Sequence, residues 1–213
     1  MKLSEIRKPF LGMVEEILLF KGFEKIKTND GFEYILKLEQ GFNSVTPIIN
    51  QYDSLFFISL SFGLRINPIS EITTLFSDIS EEYRIQSTTL NLGFDSLIKY
   101  QDNRIKVETS EELFNGLAIF KNILQNEAMD FFKKYKTVED LDKEINRENR
   151  PKNYLISEVS QRPFLGLTCA VLNKSSKIEY WENFYRKSLI GKNQHLINQF
   201  EKLTEYLYLN YNC

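Results

Sequence analysis

The sequence predicts an α+β fold: an antiparallel meander sheet packed on an N-terminal helix, followed by a mostly helical C-terminal half. Three observations predict it. Phe56, Ile58, Leu60, Phe62, Leu64 and Ile66 alternate strictly onto one face of a single run, the period of a half-buried strand. Turn residues, Asn29-Asp30-Gly31 and Gly41, punctuate the chain before that run. From Thr109 onward the apolar period lengthens to that of helices and stays there. Strands first and helices afterwards is the α+β order.

The first helix rests on Phe10, Met13, Val14, Ile17 and Leu18 at three- and four-residue steps. Pro9 suits a first turn, where its missing N–H goes unmissed, and Gly22 suits a left-handed cap. Two strands, Glu24–Thr28 and Phe32–Glu39, flank Asn29-Asp30-Gly31 as a hairpin. A weaker strand, 44–51, carries Pro47, which places it at an edge or over a bulge. Leu55–Ile66 is the anchor strand, stopped by Asn67-Pro68. Ser70 caps a short helix with Ile72, Leu75, Phe76 and Ile79 inward. Thr88, Leu90, Leu92 and Phe94 alternate as an extended segment, and 104–108 is a further short strand.

Thr109-x-x-Glu112 is a capping box. It opens one long helix whose buried side runs from Leu113 through Leu117, Phe120, Leu124 and Ala128 to Phe132. Thr137-x-x-Asp140 opens a shorter charged helix that breaks near Arg150-Pro151. Helices over 163–172, 176–190 and 193–208 complete the chain. No Pro/Gly/Ser linker interrupts it, so one domain is expected over 1–213, sheet-rich to 108 and helical from 109. The tetrapeptide PFLG opens two helices, at Pro9–Gly12 and Pro163–Gly166, too short a match to imply a repeat.

Composition removes several function classes. Of 213 residues, 27 are Lys or Arg and 29 Asp or Glu, a formal net charge of −2 without a basic block. A nucleic-acid partner is therefore not expected. Cys169 and Cys213 do not form a pairing framework. The start MKLSEIRKPF has no apolar leader core, and no window is long and apolar enough for a membrane span. The expected setting is the reducing cytoplasm. Abundant Lys, Asn and Ile suggest an AT-rich bacterial genome.

Chemistry is sparse. His195 stands alone in the first turn of the last helix, with no partner suggested by spacing, and reads as a surface or capping residue. Cys169 lies in the apolar run Leu165–Leu172 and reads as packing. Glycines are dispersed, without a phosphate-cradling loop or a nucleophile elbow. The carboxylate pairs Glu15-Glu16, Glu81-Glu82 and Glu111-Glu112, and the Asp140, Asp142 and Glu144 group, fall on helix faces or first turns, where solvation and the helix dipole account for them. No catalytic residue, metal ligand or cofactor is assigned. What remains is the polar face of the anchor strand. Ser59, Ser61 and Arg65, with Gln51 and Tyr52 from the neighbouring strand, would form a shallow platform for a partner's carboxylate or backbone.

The order helix, Lys21-Gly22-Phe23, hairpin strand, strand, then Phe57-Ile58-Ser59-Leu60-Ser61-Phe62-Gly63 resembles small bacterial families catalogued as domains of unknown function. They share an N-terminal helix, a Gly-Phe entry with a basic residue into an antiparallel sheet, and an alternating strand ending in Gly. Some are suspected to act as immunity proteins beside secreted toxins. The likeness covers residues 8–66, with Gln51 standing for a Gln those families carry in the preceding strand. It implies an α+β fold and a non-enzymatic role, and lends no catalytic residue.

The functional expectation is a non-catalytic, cytoplasmic protein-binding module. Its most specific form is a toxin-neutralising protein that meets a basic toxin. Two alternatives stand beside it: a magnesium-dependent enzyme using carboxylates with Arg65 or Arg84, and a structural subunit of a larger assembly.

Overall fold

The strongest local signals in the chain become the elements they announce. The computed structural model describes residues 1–28, 31–147 and 161–211. Asn29, Asp30, Arg150, Pro151 and Cys213, on which some expectations fall, lie outside them. In order the elements are α1 (Leu3–Phe20), β1 (Glu24–Thr28), β2 (Gly31–Leu38), β3 (Gly41–Tyr52), β4 (Leu55–Ile66), α2 (Asn67–Thr73) with a 3₁₀ turn (Thr74–Phe76), α3 (Glu81–Arg84), β5 (Leu90–Gly93), α4 (Phe94–Ile98) and β6 (Ile105–Val107). Six further helices follow: α5 (Ser110–Gln125), α6 (Glu127–Lys134), α7 (Val138–Ile145), α8 (Arg162–Leu172), α9 (Ile178–Ser188) and α10 (Gln194–Tyr211). The fold is α+β, with the antiparallel sheet ordered β1-β2-β3-β4-β5 and β6 paired to β4.

Contacts gather into two units. One comprises Met1–Leu64 and Asn91–Lys134; the other Arg65–Leu90 and Tyr135–Cys213. The change from strands to helices at residue 109 is not where they part: α5 and α6 stay with the sheet, while the segment from the end of β4 to the start of β5 goes with the later helices.

In the first unit the alternating row of β4 is buried, as its pattern requires. Helices cover it. Phe120 of α5 meets Phe10 of α1 at 5.5 Å and Phe94 edge-on at 5.0 Å between ring centroids. Gly116 lets α5 approach the sheet; a Cβ there would sit 3.3 Å from both Ile58 and Ile105. Gly22 ends α1 at φ +86°, donating to Leu19 O while Phe23 N donates to Leu18 O. The capping box of α5 is formed in both directions, Glu112 N to Thr109 Oγ1 and Thr109 N to Glu112 Oε2.

The second unit is built round α8, whose residues Pro163–Val171 are all buried. A helix apolar on every side needs neighbours on every side; α2, α7, α9 and α10 supply them. Beside the apolar core of Phe164, Leu167, Trp181, Phe200 and Leu203 lies a polar knot. Tyr185 Oη donates to Asn146 Oδ1 at 2.5 Å. Asn146 Nδ2 donates to Asp142 Oδ1 at 2.5 Å and Gly166 O at 2.9 Å, and Asn173 Nδ2 to Asp142 Oδ2 at 2.7 Å. Burial pushes the Tyr185 phenol well up, so it stays a donor. Cys169 is fully buried, and desolvation, with Asp142 adding to it, raises its thiol far above the reactive range.

Several elements differ from their sequence-based form, each for a local reason. Helix α1 starts at Leu3, so Pro9 lies inside it; Glu5 moves the cap forward by accepting from Lys2 N at 2.7 Å. Strand β3 is interior, yet its register with β2 runs only from Leu38↔Gly41 to Tyr34↔Val45. Pro47 falls just past the last pair, where no β2 partner needs its N–H. Ser70 is buried inside α2 instead of capping it, bonded to Thr89 at 2.5 Å. Leu75 and Ile79 are exposed. Phe94 opens α4 where extension was expected. The expected long helix breaks at Asn126, which leaves helical geometry and turns its side-chain amide onto Asn122 Oδ1.

Two predictions follow from packing. At Gly166 a Cβ would lie 2.6 Å from Tyr185 Cε2 and closer to Cζ and Oη, whereas at Gly12 it would meet nothing within 4 Å. Gly166→Ala should therefore lower stability by about 1–3 kcal/mol, and Gly12→Ala should raise it by about 0.5–1 kcal/mol, both read from urea midpoints. Tyr34 is fully buried on β2, and its hydroxyl has no hydrogen-bond partner among the described residues. Desolvation, with Glu15 adding to it, pushes its pKa up to about 12. The unfolded chain ionises first, near the ordinary value of about 10, so this contribution to stability is intact below that pH and lost on the way to the folded value. Tyr34→Phe should stabilise by about 1 kcal/mol at neutral pH and flatten the alkaline decline, as thermal melts across pH would report.

Candidate functional site

The platform expected on β4 resolves into groups with different fates. Ser59 is nearly buried, its hydroxyl donating to Asn103 O at 2.5 Å. Ser61 Oγ donates to Asn91 Oδ1 at 2.6 Å. Arg65 is only 5% exposed. Its Nε donates to Asn67 Oδ1 at 2.7 Å, and its Nη1 to Arg84 O at 2.8 Å and Ser87 O at 2.6 Å. Burial pulls its pKa down and Glu71 pulls it back up. Every one of these acceptors belongs to the chain itself, and Arg65 falls in the second unit while Gln51, Tyr52, Ser59 and Ser61 fall in the first.

The start of β4 is different. Gln51 and Tyr52 end β3 in exposed positions, and Gln51 Nε2 steadies the turn by donating to Asp53 O at 3.0 Å. Antiparallel pairing of Phe57 with Lys106 brings β6 alongside and carries the exposed Arg104 to the same place. Tyr52 and Phe57 meet edge-to-face at 5.7 Å, and the Arg104 guanidinium lies 4.4 Å from the Phe57 centroid and 5.6 Å from that of Tyr52. Tyr52 is 54% exposed. Phe57 and Arg104 were not singled out by the sequence reading. The signal was there in part: with Leu55, Phe57 makes the apolar start of a β4 face that turns polar from Ser59. Arg104 needed the β4–β6 register.

The second unit holds a cleft of about 450 Å³ lined by Thr73, Thr74, Ser77, Thr88 and Thr89, by Asp78, Gln161 and Gln199, and by Phe76, Ile79, Phe164, Leu165 and Leu196. His195 stands beside it. Its side chain is exposed, as expected, and Asn193 takes the cap by accepting from His195 N at 2.9 Å. But it has an acidic partner that spacing could not reveal: Nε2 lies 3.0 Å from Asp78 Oδ1, to which Gln199 Nε2 also donates at 3.0 Å.

Carboxylates elsewhere serve structure. Asp140 caps α7, accepting from Lys136 N and Thr137 N at 3.0 Å each, and Asp142 belongs to the buried knot. Among the described residues no three of His, Cys, Asp and Glu are grouped as metal ligands, and no helix is long and apolar enough to cross a membrane. No protein-family model, curated protein or solved structure matches the chain.

Arg65 offers a direct check on its place. Arg65→Met should cost about 2–4 kcal/mol, since it strands Ser87 O and Asn67 Oδ1, which the guanidinium now satisfies, while Arg84 O keeps Ser87 Oγ as a donor. Chemical denaturation measures the loss; Arg65→Lys, which cannot reproduce the fork, should recover less than half of it.

Proposed function

We propose that this chain is a non-catalytic protein-binding module whose contact surface is the Tyr52–Phe57–Arg104 cluster flanked by Gln51. The observation that supports it is the exposed guanidinium held against two aromatic rings. Tyr and Arg are the residue types that dominate binding energy at interfaces. A stacked Arg loses little further freedom on binding, and its N–H edge is left to address a partner.

That edge selects acceptors. The partner would bring a carboxylate or a run of backbone carbonyls to Arg104. A toxin-neutralising role is the most specific form of the proposal, working by occlusion. A net charge of −2 gives a basic toxin little long-range attraction, so contact at this cluster, not steering, would supply the specificity.

Tagged protein should retain a stoichiometric partner from its native host. Tyr52→Ala and Arg104→Ala should each weaken the complex by about 2 kcal/mol or more while changing the melting of the free protein little, since both residues are exposed. Undiminished binding in the double variant, or a monomer with no partner throughout, defeats the proposal.

A further inference from the structure

We propose that the cleft of the second unit binds a small organic ammonium ion, a primary amine carried on an apolar body. The reasoning starts from where its hydroxyl protons go. Thr73 Oγ1 donates to Ile69 O at 3.0 Å, Thr74 Oγ1 to Ser70 O at 2.7 Å, and Ser77 Oγ to Thr74 O at 3.0 Å. A hydroxyl has one proton; these are spent on the helix and turn that carry them. Thr89 Oγ1 accepts from Ile66 N at 2.8 Å and shares a proton with Ser70. What such oxygens can still offer a ligand is a lone pair, one being already taken at Thr89 by Ile66 N and at Ser77 by Ile79 N.

The other polar groups lean the same way. One Nε2 proton of Gln199 goes to Asp78, and the Gln199 carbonyl oxygen remains an acceptor. Asp78 Oδ1 is occupied by His195 and Gln199, while Oδ2 has no hydrogen bond among the described residues. Against them stand the donors of Thr88 and Gln161 and the second Nε2 proton of Gln199, unbonded among the described residues. Lys and Arg are missing from the described lining; the neighbouring Arg84 turns its Nε to Ile79 O at 3.3 Å. A described lining rich in acceptors, with one carboxylate and no cation, disfavours phosphates and carboxylates and suits a donor-rich cation.

The apolar lining sets the rest of the ligand. Phe76, Phe164, Leu165 and Leu196 give a hydrophobic wall, and the volume suits a molecule of modest size. Asp78 is 80% exposed, so its attraction for an ammonium is screened and small. Affinity comes from the apolar body, and the carboxylate with its surrounding lone pairs selects the charge. The cleft and the Tyr52 cluster are separate features, and neither proposal rests on the other.

Phenethylamine, its neutral analogue 2-phenylethanol and the anion 3-phenylpropionate are suitable probes, titrated into the full chain and followed by calorimetry and ligand-observed NMR. Expected is one-to-one binding of the amine with Kd on the order of 1 mM or tighter. The alcohol should bind at least about fivefold more weakly, and the anion not at all. Asp78→Asn should abolish the preference for amine over alcohol. Leu196→Trp, which fills the cleft, should remove binding of both, with circular dichroism confirming the fold of each variant. Equal affinity for amine and alcohol, an amine preference that survives Asp78→Asn, binding untouched by Leu196→Trp, or no amine binding up to about 10 mM overturns the proposal.

Discussion

Burial of one row of side chains on β4 is the constraint on which the rest depends. Six apolar residues from Phe56 to Ile66 leave water together, worth on the order of 10 kcal/mol before entropy is charged against it. A helix cap is worth about 1 kcal/mol, so no local preference elsewhere competes. Once that face is committed, its neighbours follow. Helix α5 must come close enough to cover it, which Gly116 permits. The odd-numbered residues must lie on the other face, and there the strand meets three different surroundings along its length: Phe57 beside exposed Arg104, Ser59 and Ser61 bonded to loop and strand, and Arg65 enclosed by its own chain.

What the sequence made legible was whatever is decided within a few residues. The two capping boxes, Gly22, the alternation of β4 and the burial of Cys169 all stand because each depends on a local pattern that nothing distant opposes. The misreadings share the opposite cause. Phe94 fits an extended row equally well, but the packing of its ring on Phe120 and Tyr100 places it at the start of a helix. Asn126 hides inside an apolar helical period, because periodicity counts the buried residues and ignores a polar one that can bond its own helix. His195 looked solitary because Asp78 is 117 residues away. The repeated PFLG makes the same point. One glycine faces open space and the other lies under Tyr185, so an identical tetrapeptide is incidental in α1 and indispensable in α8.

The charged and polar residues most conspicuous in the sequence turn out to be the least available. Arg65, Asp142 and Asp140 are each held by bonds to their own chain. To redirect such a group toward a ligand, the protein must first uncover carbonyls or amides that it now satisfies, and a buried polar group left bare costs about as much as a typical contact gains. Residues in that position are poor candidates for recognition whatever their chemistry.

The same accounting identifies the groups that remain. Arg104 is held by rings, which occupy its faces and leave its donors unspent among the described residues. The hydroxyls of Thr73, Thr74 and Ser77 in the second unit's cleft are in the reverse state, their protons given to backbone. Asp78 keeps one oxygen uncommitted. A donor edge in one unit and an acceptor lining in the other call for ligands of opposite hydrogen-bonding character. A single partner group cannot satisfy both, because an acceptor suited to Arg104 would meet lone pairs in the cleft. As proposed recognition surfaces the two are physically distinct, each selective in the direction its remaining protons point.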